Sequence, residues 1–184
     1  FLLIFAMFFY VSAEIGIAFW LPTFLRLNKS FPTILASQIL SYFWFSFVIG
    51  RFIIGFLSRK IKIINILLIV TLLSIPSILL GIYTDNIVLI IFAFLLTGLL
   101  FSGIWPLIVS LGGLRFSSQR DFVVPILIMA GGIGGLFSPW FIGNIFYNFN
   151  LMFAMNITYI FVFFLLASFI SLAVIDKKEV KNGK

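Results

Sequence analysis

The sequence predicts an all-α membrane protein: six transmembrane helices arranged as an inverted 3+3 repeat. Three observations predict it. The 184 residues are 63% hydrophobic and only 9% charged, too little polar surface to solvate a soluble domain of this size. The apolar residues gather into six runs of about 20 or more, the length a helix needs to cross the hydrocarbon core. Basic residues fall on alternate breaks between those runs, as they do in multi-pass membrane proteins. Strict two-residue alternation is absent, which argues against an outer-membrane barrel.

The spans cover roughly 1–25, 33–57, 63–83, 87–113, 121–147 and 151–175, so that 1–175 forms one six-helix unit and 176–184 a polar tail. The breaks are short: RLNKSFP (26–32), SRKIK (58–62), TDN (84–86), RFSSQR (115–120) and NFN (148–150). Short breaks make consecutive helices antiparallel neighbours. Span one begins at Phe1 with no charged n-region and no small-residue cleavage motif. It therefore reads as a membrane helix rather than a signal peptide, and the chain reads as part of something longer.

Lys and Arg set the orientation. Arg59, Lys60, Lys62, Arg115, Arg120, Lys177, Lys178, Lys181 and Lys184 share one side of a six-span arrangement, whereas Arg26 and Lys29 lie on the other. The positive-inside rule then places both ends of the segment in the cytoplasm, with the chain in the plasma (inner) membrane. The net charge of +7 is accounted for by these span ends, so no nucleic-acid partner is expected. With no cysteine and no histidine, disulfides, thiol chemistry and the usual zinc sites are excluded. No metal and no cofactor is expected. Among the spans there is no paired aspartate, Ser/His dyad or metal-ligand cluster, so the chain is not read as an enzyme.

Glycine placement suggests the internal repeat. Span two carries Gly50 and Gly55 followed by Leu57-Ser58. Span five carries Gly131, Gly132, Gly134 and Gly135 followed by Phe137-Ser138. Each is the second helix of a group of three, and the groups have opposite orientation, an arrangement found in transporters. The glycines also suit plain helix packing, with Gly131 and Gly135 at small-xxx-small spacing.

Glu14 is the one acidic residue deep in a span. A carboxylate at that depth costs about 2.5–3.5 kcal/mol on insertion scales. It either faces a cavity, binding solute or exchanging a proton, or it joins helices through hydrogen bonds. Tyr10 precedes it by one turn on the same helical face. Gln38, Ser41 and Tyr42 form a polar face of span two that suits a solute or a partner helix. Arg51 either snorkels to the interface or pairs with a carboxylate across the bundle. In span four, Pro106 predicts a kink, and Trp105 either stacks on a sugar or fills space. Pro139 predicts a break in span five. Spans three and six, with no internal charge, are expected to face lipid; spans one, two, four and five are expected to face a cavity.

The stretches YVSAEIGIAFWLPTFL (10–25), FVIGRFIIGFLSRKI (47–61) and IWPLIVSLG (104–112), with the following glycine-rich helix, resemble the C-terminal half of a major facilitator superfamily transporter, fucose-permease-like branch. The resemblance covers essentially the whole chain. Gly50-Arg51-Phe52 and Gly55 look like the family's cytoplasmic-loop signature, with Arg59 standing where the signature has an aspartate and Lys62 near its second glycine. The resemblance implies half of a twelve-helix fold, a missing N-terminal six-helix half, and a solute bound between the halves. It also implies that the seventh, eighth, tenth and eleventh helices of the whole line the cavity, the same four spans that polarity selects. The expected function is secondary transport of a small polar solute, for instance a sugar, by alternating access with proton coupling in the lipid bilayer. An exporter of drugs or metabolites, or a membrane assembly subunit without transport, are the alternatives.

Overall fold

The computed structural model describes residues 1–181, with side chains through 178. Its elements are α1 (Leu2–Asn28), α2 (Thr33–Leu57), α3 (Ile63–Tyr83), α4 (Ile87–Phe101), α5 (Ile104–Arg115), a short 3-10 turn (Ser117–Gln119), α6 (Arg120–Asn148) and α7 (Leu151–Lys181). Taken with α4 and α5 as one unit, six helices among the described residues are long and apolar enough to cross a membrane. Asparagines start two of them. Asn86 Oδ1 accepts the backbone N–H groups of Val88 and Leu89, and Asn150 Oδ1 accepts that of Phe153 at 2.7 Å. These bonds satisfy amides that a helix start leaves without partners.

Three boundaries differ from the sequence expectation. Span four is interrupted at Ser102–Gly103, one turn before Pro106. Proline acts on the preceding turn, because its ring crowds the carbonyl four residues earlier. That carbonyl belongs to Ser102, and Pro106 itself sits in the first turn of α5, where it is tolerated. The Ser102 hydroxyl also donates to Leu99 O at 2.7 Å, competing for the carbonyl that a continuing helix would use. Gly103 is where Ile54 of α2 seats, so a side chain there would collide with it. By contrast, α6 runs unbroken through Pro125 and Pro139, so no break occurs at Pro139. Neighbouring helices re-satisfy the groups freed by proline in membrane helices. The polar tail expected from 176 begins as a continuation of α7 to Lys181; 182–184, including Lys184, lie outside the described residues.

The packing follows an inverted repeat. The strongest contacts are α1 with α6 and α1 with α7; their counterparts, α2 with α4 and α3 with α4, come next. Exchanging α1 with α4–α5, α2 with α6 and α3 with α7 maps one set onto the other. Two parallel crossings carry this relation at residue level. In one, Ser12 and Gly16 of α1 meet Gly134 and Ser138 of α6; in the other, Ser46 and Gly50 of α2 meet Gly98 and Ser102 of α4. At each contact a glycine faces a serine, which lets the two backbones approach closely.

The exposed faces are unequal. Only 33% of the most apolar window of α2 and 28% of that of α6 are buried, against 50% for α1. These two helices therefore present broad apolar surfaces, among them Phe45 and Phe52 on α2 and Leu136 and Trp140 on α6. At one end of the bundle Lys29 Nζ and Asp85 Oδ1 pair at 2.7 Å. At the other end Arg115 pairs with Asp176 at 2.6 Å, joining α5 to α7.

Candidate functional site

An open cavity of about 570 Å³ is lined by Tyr10, Val11, Glu14 and Ile15 of α1, Arg51 of α2, Trp105 of α5, and Ile128, Gly131, Gly132 and Gly135 of α6. Four helices build it, and they are the four that polarity selects in the sequence. The volume lies in the range of small-ligand sites, about 300–1,000 Å³.

Each polar wall residue is positioned by its helix. Tyr10 is fully buried and donates its hydroxyl proton to Phe101 O at 3.0 Å, just before the α4–α5 interruption. Its ring also packs edge-on against Phe101. The same hydroxyl is also within hydrogen-bonding reach of the Glu14 carboxylate. Glu14 is 8% exposed. No ion pair to it occurs among the described residues within 4.0 Å. The Arg51 guanidinium rests on the Phe47 ring at 5.0 Å, a cation–π contact that steadies it. Its positive charge is near enough to act on Glu14 through space.

Trp105 stands at a junction. It also lines a recess of about 420 Å³ with Arg51, Gly55, Ser58, Gly103 and Ser110, and a smaller one with Ser110, Gly113 and Arg120. Arg51 and Trp105 are thus shared walls between the Glu14 cavity and the recesses nearer the basic end of the bundle. Sequence reasoning did not single out Ser110, and it met Ser58 only as part of the glycine repeat. Pro106, Ser110 and Gly113 fall at helical spacing behind Trp105, and that pattern was the available signal.

The remaining candidates fall elsewhere. Gln38 and Tyr42 are exposed on α2, and neither lines a cavity described above. Arg59 is exposed in the turn after α2. The glycines separate by role. Gly50 abuts Leu99 and Ser102, Gly131 touches Val11 and Met7, Gly134 abuts the Phe8 carbonyl, and Gly135 touches Val11. Gly132 and Gly55 have no neighbour in this chain within 4 Å of where a Cβ would stand; Gly132 lines the Glu14 cavity and Gly55 the recess beside it. Trp20 ties α1 to α6, donating Nε1–H to Pro139 O at 3.1 Å and covering Gly143. Among the described residues no cluster of ligands suits a metal ion.

Six apolar helices, four of them lining an acid-bearing cavity, define a multi-pass membrane protein whose architecture is consistent with half of a major facilitator fold. No protein-family model matches the chain. Two curated relatives make the class more specific. The chain is 29% identical over 140 residues to the glucose/mannose transporter GlcP of Bacillus subtilis (strain 168), an alignment covering 76% of this chain and 34% of the relative. It is 25% identical over 125 residues to the TsgA homolog of Yersinia pestis (strain Pestoides F), covering 68% of this chain and 32% of that protein. The chain thus spans about a third of the length of the curated relatives it matches.

Proposed function

We propose that this chain is the C-terminal six-helix half of a secondary carrier of the fucose-permease-like branch. The carrier moves a sugar-sized polar solute by alternating access, coupled to protons. The observation that carries the reading is the Glu14 carboxylate, nine-tenths buried, opening on a cavity shared with Arg51 and Trp105. Acids at membrane depth face cavities and mark solute or proton paths. The transporter name of the Bacillus subtilis relative supports a hexose as solute.

In this reading the flat face of a sugar ring lies on the Trp105 indole, and its hydroxyls bond to Glu14 and Arg51. Glu14 takes up a proton in one orientation of the carrier and releases it in the other. Arg51 stands on the same cavity wall, facing the solute beside Glu14. The basic end, with Arg59, Lys60, Lys62, Arg115 and Arg120, is the cytoplasmic one by the positive-inside rule. Both ends of the segment then lie in the cytoplasm, with the chain in the inner membrane. The under-buried faces of α2 and α6 receive the N-terminal half, and Gly55 leaves room for its approach.

The test is hexose uptake by the full-length protein in proteoliposomes under an imposed proton gradient. Gly, Tyr and Trp positions are left intact and only Glu14→Gln is made. We expect the variant to lose proton-driven accumulation while retaining hexose exchange across equal concentrations. Unchanged accumulation with unchanged pH dependence removes Glu14 from coupling. Failure of the parent protein to take up any hexose removes the sugar assignment.

A further inference from the structure

Glycine in a helix interior is less stable than alanine, because it orders more backbone and packs less. A mid-helix glycine therefore calls for a reason. Gly131, Gly134 and Gly135 have theirs: α1 lies against them, and at Gly134 an added methyl would meet the Phe8 carbonyl. Gly132 sits among them with no atom within 4 Å of its Cβ position. Its open side lines the cavity that holds Glu14, Arg51 and Trp105.

We propose that Gly132 sets the upper size of the solute: the volume its missing side chain leaves is occupied by the solute ring. This rests on the carrier reading above. An apolar helix of the other half pressed onto Gly132 would also fill the space. It would cover the Glu14 carboxylate, which is nine-tenths buried with the Tyr10 hydroxyl beside it and no ion pair within 4.0 Å, and offer it no further polar partner. A polar solute spans both groups; an apolar helix does not.

Three variants of the full-length protein test this: Gly132→Ala, Gly132→Leu and Gly132→Cys. A single methylene in a fitted site changes discrimination about tenfold or more. Gly132→Ala is therefore expected to raise the KM for glucose about tenfold relative to that for xylose, with thermal stability equal to the parent's or higher. Gly132→Leu is expected to abolish glucose uptake while the protein remains folded. This chain has no cysteine, so with any cysteines of the other half replaced, Gly132→Cys is read alone. It should react with a small water-soluble thiosulfonate, and glucose should protect it.

Equal glucose uptake by the parent and Gly132→Leu overturns the size limit and leaves the carrier reading standing. Labelling that glucose does not slow, or a loss of stability in Gly132→Ala as large as in Gly134→Ala, also overturns it. A parent protein that takes up no hexose fails the carrier reading first, and the two failures are told apart in that one control.

Discussion

The α1–α6 and α2–α4 crossings use the same device and fit it differently. At α2–α4 both glycines meet backbone: Gly50 lies on the Leu99 carbonyl, and Gly98 on that of Phe43. The serines there bond to their own helices, Ser46 to Phe43 O at 2.8 Å and Ser102 to Leu99 O at 2.7 Å. At α1–α6 only Gly134 meets backbone. Gly16 faces the terminal methyl of Ile142, at 2.7 Å from its Cβ position. Ser12 donates across to Gly134 O at 3.2 Å, whereas the Ser138 hydroxyl is buried with no partner. One crossing meets backbone at both levels; the other meets backbone at one level and a side chain at the next. The second carries Glu14, between Ser12 and Gly16 in the chain. Internal symmetry therefore preserves the residue pattern without preserving each contact.

Alanine at each glycine is the largest test of this difference. Overpacking a filled contact costs about 1–3 kcal/mol. Gly50→Ala, Gly98→Ala and Gly134→Ala should each lose that much in thermal unfolding in detergent. Gly16→Ala should lose less, because the Ile142 side chain can turn aside. Equal losses at Gly16 and Gly50 would erase the distinction between the crossings.

Ser138→Ala should raise stability by about 1 kcal/mol, since it removes a buried hydroxyl that has no partner. Destabilisation would mean that the hydroxyl is engaged after all. The smallest effects belong to the other serines. Ser12→Ala gives up an interhelical bond worth about 0.6 kcal/mol on average in membrane proteins. Ser46→Ala should be close to neutral, because its hydroxyl bonds only within its own helix. The same unfolding series resolves their order.

The six spans and the cavity helices were legible because they depend on run length and on where polar residues fall. Glu14 was legible because a lone acid in an apolar run has no bland surface role. The functional split among the span-five glycines was not. Gly132 and Gly134 are two residues apart, about 200° around a helix, and sequence does not say which of those directions meets α1. The direction that Gln38 and Tyr42 face was hidden for the same reason. They share a polar stripe with Ser41, but the buried face of α2 is set by α4, and the stripe points outward. The interruption of span four had the right agent, Pro106, and lies one turn earlier than the proline because the ring acts backward along the chain.

The parallel α1–α6 crossing has a consequence for biogenesis. Ser12 and its acceptor Gly134 are 122 residues apart, and at about 5–20 residues per second of synthesis the ribosome takes roughly 6–24 s to supply the second after the first. Through that interval the acid-bearing helix waits in the translocon or in lipid without its principal neighbour, while α2 and α4 can already dock. Insertion factors that shelter a nascent helix would be needed most by α1.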